Sequence, residues 1–170
     1  MSENTRPKVV LVGPPGAGKT TVGTAVAQRW GVTFRDTDVD IEATAAKTIG
    51  DIFIEDGESV FRDFERAAVA TALAEHDGVL ALGGGAVGAA ATRSIMQQHT
   101  VVFLDVGLTD AVKRTGMNRD RPLLLDSPRA RLKLLLDERR PLYEEVATVT
   151  VQTSGRTVDD VVEEVLAHVR

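Results

Sequence analysis

Eight consecutive residues near the start of the chain, Gly13-Pro14-Pro15-Gly16-Ala17-Gly18-Lys19-Thr20, are of the types that together hold a phosphate chain. Glycines let backbone N–H groups turn inward around phosphate oxygens without a Cβ clash. Lys19 is spaced to reach β- and γ-phosphates, and the Thr20 hydroxyl to ligate Mg²⁺. The spacing is GxxxxGK[ST], a P-loop, and its meaning depends on a strand before it and a helix after it. A helix N-terminus at that point adds unpaired donors and a positive dipole end. The run therefore predicts binding of a nucleoside triphosphate. A GTPase switch would also carry Asn-Lys-x-Asp and Asp-x-x-Gly, and neither occurs in the chain.

Three further groups could act on that phosphate. Asp36-Thr37-Asp38 ends an apolar run read as a strand, which places Asp36 and Asp38 on one face. Two carboxylates at a strand end suit holding Mg²⁺ through water and accepting a proton from an attacking hydroxyl. Helix capping by Asp38 is the plainer alternative. Asp105, closing Val101-Val102-Phe103-Leu104, competes with Asp36 for the metal role. Gly83-Gly84-Gly85 ends another strand, where close approach of a ligand to backbone is a motive for glycine and a plain turn is the alternative. Arg62 lies among phenylalanines on a helix, either satisfying an anion or pairing with Glu65 three residues on. Arg119 and Arg121 fall in an irregular stretch, Gly116–Pro128, and an arginine on a lid that closes over transferring phosphate is a recurring device. His76, His99 and His168 lack ligand-like spacing and are expected at the surface.

Positioning these groups requires alternating strands and helices. β-Branched runs predict strands over Lys8–Val12, Thr33–Asp38, Val79–Leu82, Val101–Val106 and Thr148–Thr153. Helical spacing falls over Lys19–Trp30, Gly57–His76, Thr109–Thr115 behind a Thr cap, Arg129–Glu145 with an interruption at Pro141, and Thr157–Val169. Alternation of this kind implies a parallel sheet with helices on both faces, an α/β fold. Ligands then bind at the carboxyl ends of the strands.

The 170 residues suit one domain, residues 1–170, with a lid over about 116–128. A net charge of −5 argues against a general nucleic-acid or membrane-surface binder. The absence of cysteine excludes disulfides and thiolate metal sites. The polar start, Met1 to Pro7, has no signal-peptide pattern and no apolar run is long enough to span a bilayer, so a cytoplasmic protein is expected.

Taken in order, the motifs resemble the shikimate kinase family, in the nucleoside-monophosphate-kinase-like branch of P-loop proteins. They are the P-loop, Asp36-Thr37-Asp38, Ile52-Phe53 followed by Gly57-Glu58-x-x-Phe61-Arg62-x-x-Glu65, Gly83-Gly84-Gly85-Ala86, Arg121-Pro122-Leu123-Leu124, and Arg139-x-Pro141-Leu142-Tyr143. The resemblance runs nearly end to end, and the Asp-Thr-Asp and Gly-Glu-x-x-Phe-Arg motifs set it apart from adenylate and gluconate kinases.

The resemblance implies a three-layer α/β/α P-loop kinase fold with sheet order 2-3-1-4-5 and a mobile lid. It implies a cytoplasmic monomer of the aromatic amino-acid pathway. Such an enzyme moves the γ-phosphoryl group of ATP to the 3-hydroxyl of shikimate, with Mg²⁺. By the same resemblance, Gly16, Ala17, Gly18, Lys19, Thr20 and Thr21 would hold the nucleotide phosphates. Arg114 and Arg156 would flank the adenine, and Arg121 would close over the phosphates. Thr20 and Asp36 would support Mg²⁺. Asp38 would bind substrate hydroxyls and is the candidate base. Arg62 and Arg139 would bind the shikimate carboxylate, which suits forked donors. Gly83, Gly84 and Gly85 would meet the substrate, with Phe53 and Phe61 walling its ring. Arg140 competes with Arg139, which keeps its spacing to Pro141-Leu142-Tyr143. The alternatives are a related kinase for another hydroxylated acid and a non-catalytic ATP-binding module.

Overall fold

The structure is a computed structural model and describes residues 5–116 and 127–169. Arg119, Arg121 and most of the expected lid lie outside the described residues. The chain runs β1 (Val9–Val12), α1 (Lys19–Trp30), β2 (Phe34–Asp36), α2 (Thr37–Ala45), α3 (Ile49–Glu55), α4 (Glu58–Glu75), β3 (Val79–Ala81), a 3₁₀ turn (Ala86–Gly88), α5 (Ala90–Met96), β4 (Val101–Asp105), α6 (Leu108–Thr115), α7 (Pro128–Val146), β5 (Val149–Gln152) and α8 (Val158–His168). The described strands form one parallel sheet in the order β2-β3-β1-β4-β5, as the resemblance implies.

β1 and β4 read as continuous apolar runs because both of their faces are covered. Strand alternation splits them cleanly. Val9, Leu11, Val102 and Leu104 pack into one core with Val22 and Val26 of α1 and Val161 and Val165 of α8. Val10, Val12, Val101 and Phe103 pack into the other with Val69 and Leu73 of α4 and Met96 of α5. A small third core of Ile41, Ile52 and Phe61 joins α2, α3 and α4. Helix α7 serves both main cores, Leu132 and Leu136 in the first and Tyr143 and Val146 in the second. Its middle, Arg139-Arg140, therefore falls between the two faces.

Five expectations need correction. The strand expected over Thr33–Asp38 stops at Asp36, and Asp38 sits in the first turn of α2. The cap is Asp36 and not Asp38: its Oδ1 accepts the Asp38 N–H at 2.8 Å, a contact worth about 1 kcal/mol to the helix. Helix α7 is not interrupted at Pro141. The proline lies on its exposed side, and buried Leu136, Tyr143 and Val146 hold the helix to the cores against the lost hydrogen bond. Gly107, and not a threonine, caps α6. His76 is buried, with Nε2 3.0 Å from the Val79 carbonyl and 3.2 Å from the Thr33 carbonyl, so it ties the end of α4 to two strand starts. Among the described residues no helix is long and apolar enough to cross a membrane.

Candidate active site

The P-loop has the setting its chemistry requires, between β1 and α1. Gly16 and Gly18 take φ of 83° and 91°, a region L side chains rarely adopt. Gly18 is the N-cap of α1 and has no side chain to block its N-terminal donors. Lys19 folds back over the loop, donating to the Gly13 carbonyl at 2.6 Å and the Pro14 carbonyl at 3.2 Å. Burial lowers its pKa from 10.5 to about 8, against the upward pull of Asp38 and then Asp36.

Asp36 and Asp38 are brought together with Lys19, but by a strand–helix junction and not by strand alternation. The junction is fixed from two sides. Arg35 donates to Asp40 at 2.7 Å across the start of α2, and the buried Thr37 hydroxyl accepts the Gly83 N–H at 3.3 Å. Burial raises the Asp38 pKa from 3.8 to about 6, helped by repulsion from Asp36 and Glu65 and opposed by Lys19. Asp36 is also raised, first by burial, while the Asp38 N–H and Lys19 pull it down. A group acting as base must be ionised. With Asp38 as the base, activity is expected to rise with pH through about 6, with kcat/KM for the acceptor falling about tenfold per pH unit on the acid side. A kcat/KM profile that stays flat down to about pH 4.5 would remove Asp38 from proton transfer.

The triple glycine has a steric reason beyond turning. A Cβ on Gly83 would lie 2.5 Å from Asp38 Oδ1. A Cβ on Gly85 would overlap the Arg62 guanidinium. One on Gly84 would lie 3.3 Å from Pro15 Cδ of the P-loop and 3.4 Å from Arg139 Nη1. Three consecutive backbone positions thus pack against the candidate base, both candidate carboxylate-binding arginines and the phosphate loop. The buried Tyr143 hydroxyl donates to the Gly84 carbonyl at 2.6 Å and fixes the segment to α7.

Arg62 bears out the pairing reading of its sequence position. It donates to Glu65 at 2.8 Å and to Glu58 at 3.3 Å, and it faces a cavity of about 380 Å³ shared with Glu65, Gly85, Arg139 and Leu142. Glu65 is 4% exposed and holds the guanidinium at the cavity wall. Phe61 is buried beneath Arg62, its ring centroid 5.2 Å from Cζ, and Phe53 packs on it at 4.7 Å with one face open. Arg139 reaches this cavity, whereas Arg140 donates to Asp105 at 2.6 Å. Asp105 is 4% exposed, and its Oδ2 also accepts from Gln152 at 2.8 Å.

On the nucleotide side, Arg114 and Arg156 line a cavity of about 370 Å³ with Ala17, Gly18, Thr21 and Val158. Arg114 donates to the Gly16 carbonyl and to Thr153, each at 3.0 Å. Arg156 is tied to the Gln152 carbonyl at 2.9 Å and to Glu164 at 2.7 Å. Thr20 and Thr21 are exposed on the first turn of α1. The contacts made by Thr37, by Tyr143 and between Arg140 and Asp105 are not signalled by the sequence, except that Tyr143 falls four residues after Arg139 and so on the same helix face.

Comparison with known proteins agrees with this geometry. The family model for shikimate kinase matches residues 15–170. A shikimate kinase of Salinispora tropica is 62% identical over 161 residues, covering 95% of this chain and 96% of the relative. One from Thermobifida fusca is 56% identical over 160 residues, with 94% and 93% covered. The solved structure of Acinetobacter baumannii shikimate kinase in complex with shikimate superposes with a TM-score of 0.87 at 38% identity, over 98% of this chain and 93% of that one. A gluconokinase from Sinorhizobium meliloti, at 20% identity and a TM-score of 0.58, shares the fold alone. With P-loop, aspartate pair, triple glycine and two arginines assembled at one sheet end, and with relatives matching along nearly the whole chain, this protein belongs to the shikimate kinase family.

Proposed function

We propose that the chain transfers the γ-phosphoryl group of ATP to the 3-hydroxyl of shikimate, giving shikimate 3-phosphate and ADP. The observation that carries this reading is the triple glycine, whose three Cα positions abut Asp38, Arg139 with Pro15, and Arg62. A small hydroxylated carboxylate placed there meets two guanidinium groups at one end and a carboxylate base beside the P-loop at the other.

In this reading Arg62 and Arg139 hold the acceptor carboxylate as forked donors. Phe53 and Phe61 wall the ring, and the Gly83–Gly85 backbone sets how deep it lies. The backbone donors of Gly16 to Thr21 hold the phosphates. Lys19 leaves the Gly13 and Pro14 carbonyls for the β- and γ-phosphate oxygens, where its charge offsets theirs. Asp38 accepts the proton of the attacking hydroxyl as the new P–O bond forms and the bond to ADP breaks. Arg114 and Arg156 flank the adenine. Arg121, outside the described residues, is assigned to the phosphates by its place in the family motif.

The donor set also fits Mg²⁺. Asp36 and Asp38 together face the single charge of Lys19, and both are pulled upward in pKa, which a cation would relieve. Mg²⁺ usually takes only one or two protein ligands beside substrate phosphates and water. Thr20 would ligate it directly and Asp36 through water, and the ion would supply charge neutralisation on the β- and γ-phosphates.

An ADP-release assay with shikimate, gluconate and nucleoside monophosphates tests the reading, and only shikimate is expected to drive turnover. In the same assay Arg62→Ala is expected to raise the KM for shikimate about 30-fold or more, the usual result of truncating one partner of a hydrogen-bonded charge pair, with the KM for ATP little changed. An unaltered shikimate KM would take the acceptor site away from this cavity.

A further inference from the structure

Arg139 and Arg140 are consecutive on α7, and consecutive helix residues point about 100° apart. They cannot both face the acceptor cavity. Arg139 lies against Gly84, and Tyr143, one turn further on, donates to the Gly84 carbonyl at 2.6 Å. That face of α7 is turned to the triple glycine. Arg140 points instead to the ends of β4 and β5, where Asp105 Oδ2 accepts from its Nη1 at 2.6 Å and from Gln152 Nε2 at 2.8 Å.

We propose that Asp105 is a positioning residue for the acceptor site: by engaging Arg140, it sets the rotation of α7 that presents Arg139 to the acceptor carboxylate. This rests on the reading of Arg139 given above. The pair is buried at Asp105 and 41% exposed at Arg140; such a pair is a weak source of stability, and fixing one arrangement among several is the best-attested use of ion pairs with a buried partner. The Asp105 carboxylate fits that use. It is almost fully buried, yet its Oδ1 has no hydrogen-bond partner among the described residues. A carboxylate left half-satisfied is a poor choice for stability alone.

The main chain of Asp105 has a separate task. Its carbonyl accepts the N–H and the hydroxyl of buried Thr153, each at 2.8 Å. Thr153 in turn holds Arg114, which reaches the Gly16 carbonyl of the P-loop. Changing the side chain disturbs Arg140 and leaves this backbone route to the nucleotide side in place. The proposal therefore separates the two substrates.

Steady-state kinetics with shikimate and ATP on Asp105→Asn, Arg140→Gln, the double variant and Arg139→Ala test it. Asp105→Asn is expected to raise the shikimate KM about tenfold, in line with a small misplacement of a binding group, with the ATP KM unchanged. Arg140→Gln should do the same, and it carries the readout if Asp105→Asn does not fold. The double variant should be no worse than the worse single one. A lowered melting temperature with an unchanged shikimate KM in both single variants would make the pair purely structural and overturn the proposal. If Arg139→Ala raises the shikimate KM and neither single variant does, the proposal falls and the acceptor site stands. If Arg139→Ala has no effect either, both fall.

Discussion

Asp38→Asn is expected to lower kcat by about 10²-fold or more while raising the melting temperature of the unliganded protein. Both effects have one cause. The carboxylate is half-buried beside Asp36 and Glu65, and its pKa is raised from 3.8 to about 6. A group whose ionisation is disfavoured in the folded state destabilises that state wherever it is ionised. Below about pH 4 the carboxyl is protonated both folded and unfolded, and it costs nothing. Between about pH 4 and 6 the unfolded form ionises first and the cost grows; above about pH 6 it is complete. A shift of this size corresponds to at most about 3 kcal/mol, reduced to about 1–2 kcal/mol by solvent screening of a partly exposed group. Asparagine keeps the shape, removes the charge and ends the cost, but it takes no proton. Thermal melts at pH 7.5 and at pH 4, with rates at saturating substrates, check this. A variant that melts lower at pH 7.5 or turns over near the parent rate would contradict it.

Lys19→Ala should lose about 10³-fold in kcat/KM for ATP, the upper range for removing one preorganised group that meets developing charge. The structure adds a second consequence. Among the described residues Lys19 is the cation that lowers the pKa of both Asp36 and Asp38. Without it the Asp38 pKa moves further up, so the acid limb of the residual activity should shift above pH 6. Rates over an ATP titration and a pH series report both effects. Activity within about tenfold of the parent, or an acid limb that stays at pH 6, would mean that Lys19 neither meets the phosphates nor couples to the aspartates.

Much of this was readable from residue order. β1 and β4 announced themselves because strands covered on both faces need apolar residues without a break. The P-loop carried its own context. The aspartate pair was legible as a pair but not in its geometry. Asp36-Thr37-Asp38 continues a strand pattern, and only the capping contact from Asp36 to the Asp38 N–H shows that a helix has begun. Helices α2 and α3 are short, and they are held by capping and by the small Ile41–Ile52–Phe61 core more than by periodicity; α5, also short, has no side-chain cap and is anchored by Met96 in the second core. Pro141 looked like a break because propensity weighs against it, but tertiary packing of α7 on two cores outweighs one lost hydrogen bond. The three glycines suggested close approach, and sequence had no means of saying that the approaching groups are Asp38, Arg139 with Pro15, and Arg62. Spacing to Pro141-Leu142-Tyr143 already favours Arg139 over Arg140, but the engagement of Arg140 by Asp105, 35 residues away, exists only in the folded chain.

Phosphoryl transfer from ATP to the 3-hydroxyl of shikimate is the reaction proposed for this cavity. Phosphorus–proton correlation NMR of the reaction product tests it most directly, because it identifies the carbon that carries the new phosphate. A single phosphate monoester coupled to the proton on C3, formed in step with ADP, is the expected result. Phosphate on another hydroxyl, or ADP released with inorganic phosphate and no ester, would contradict it.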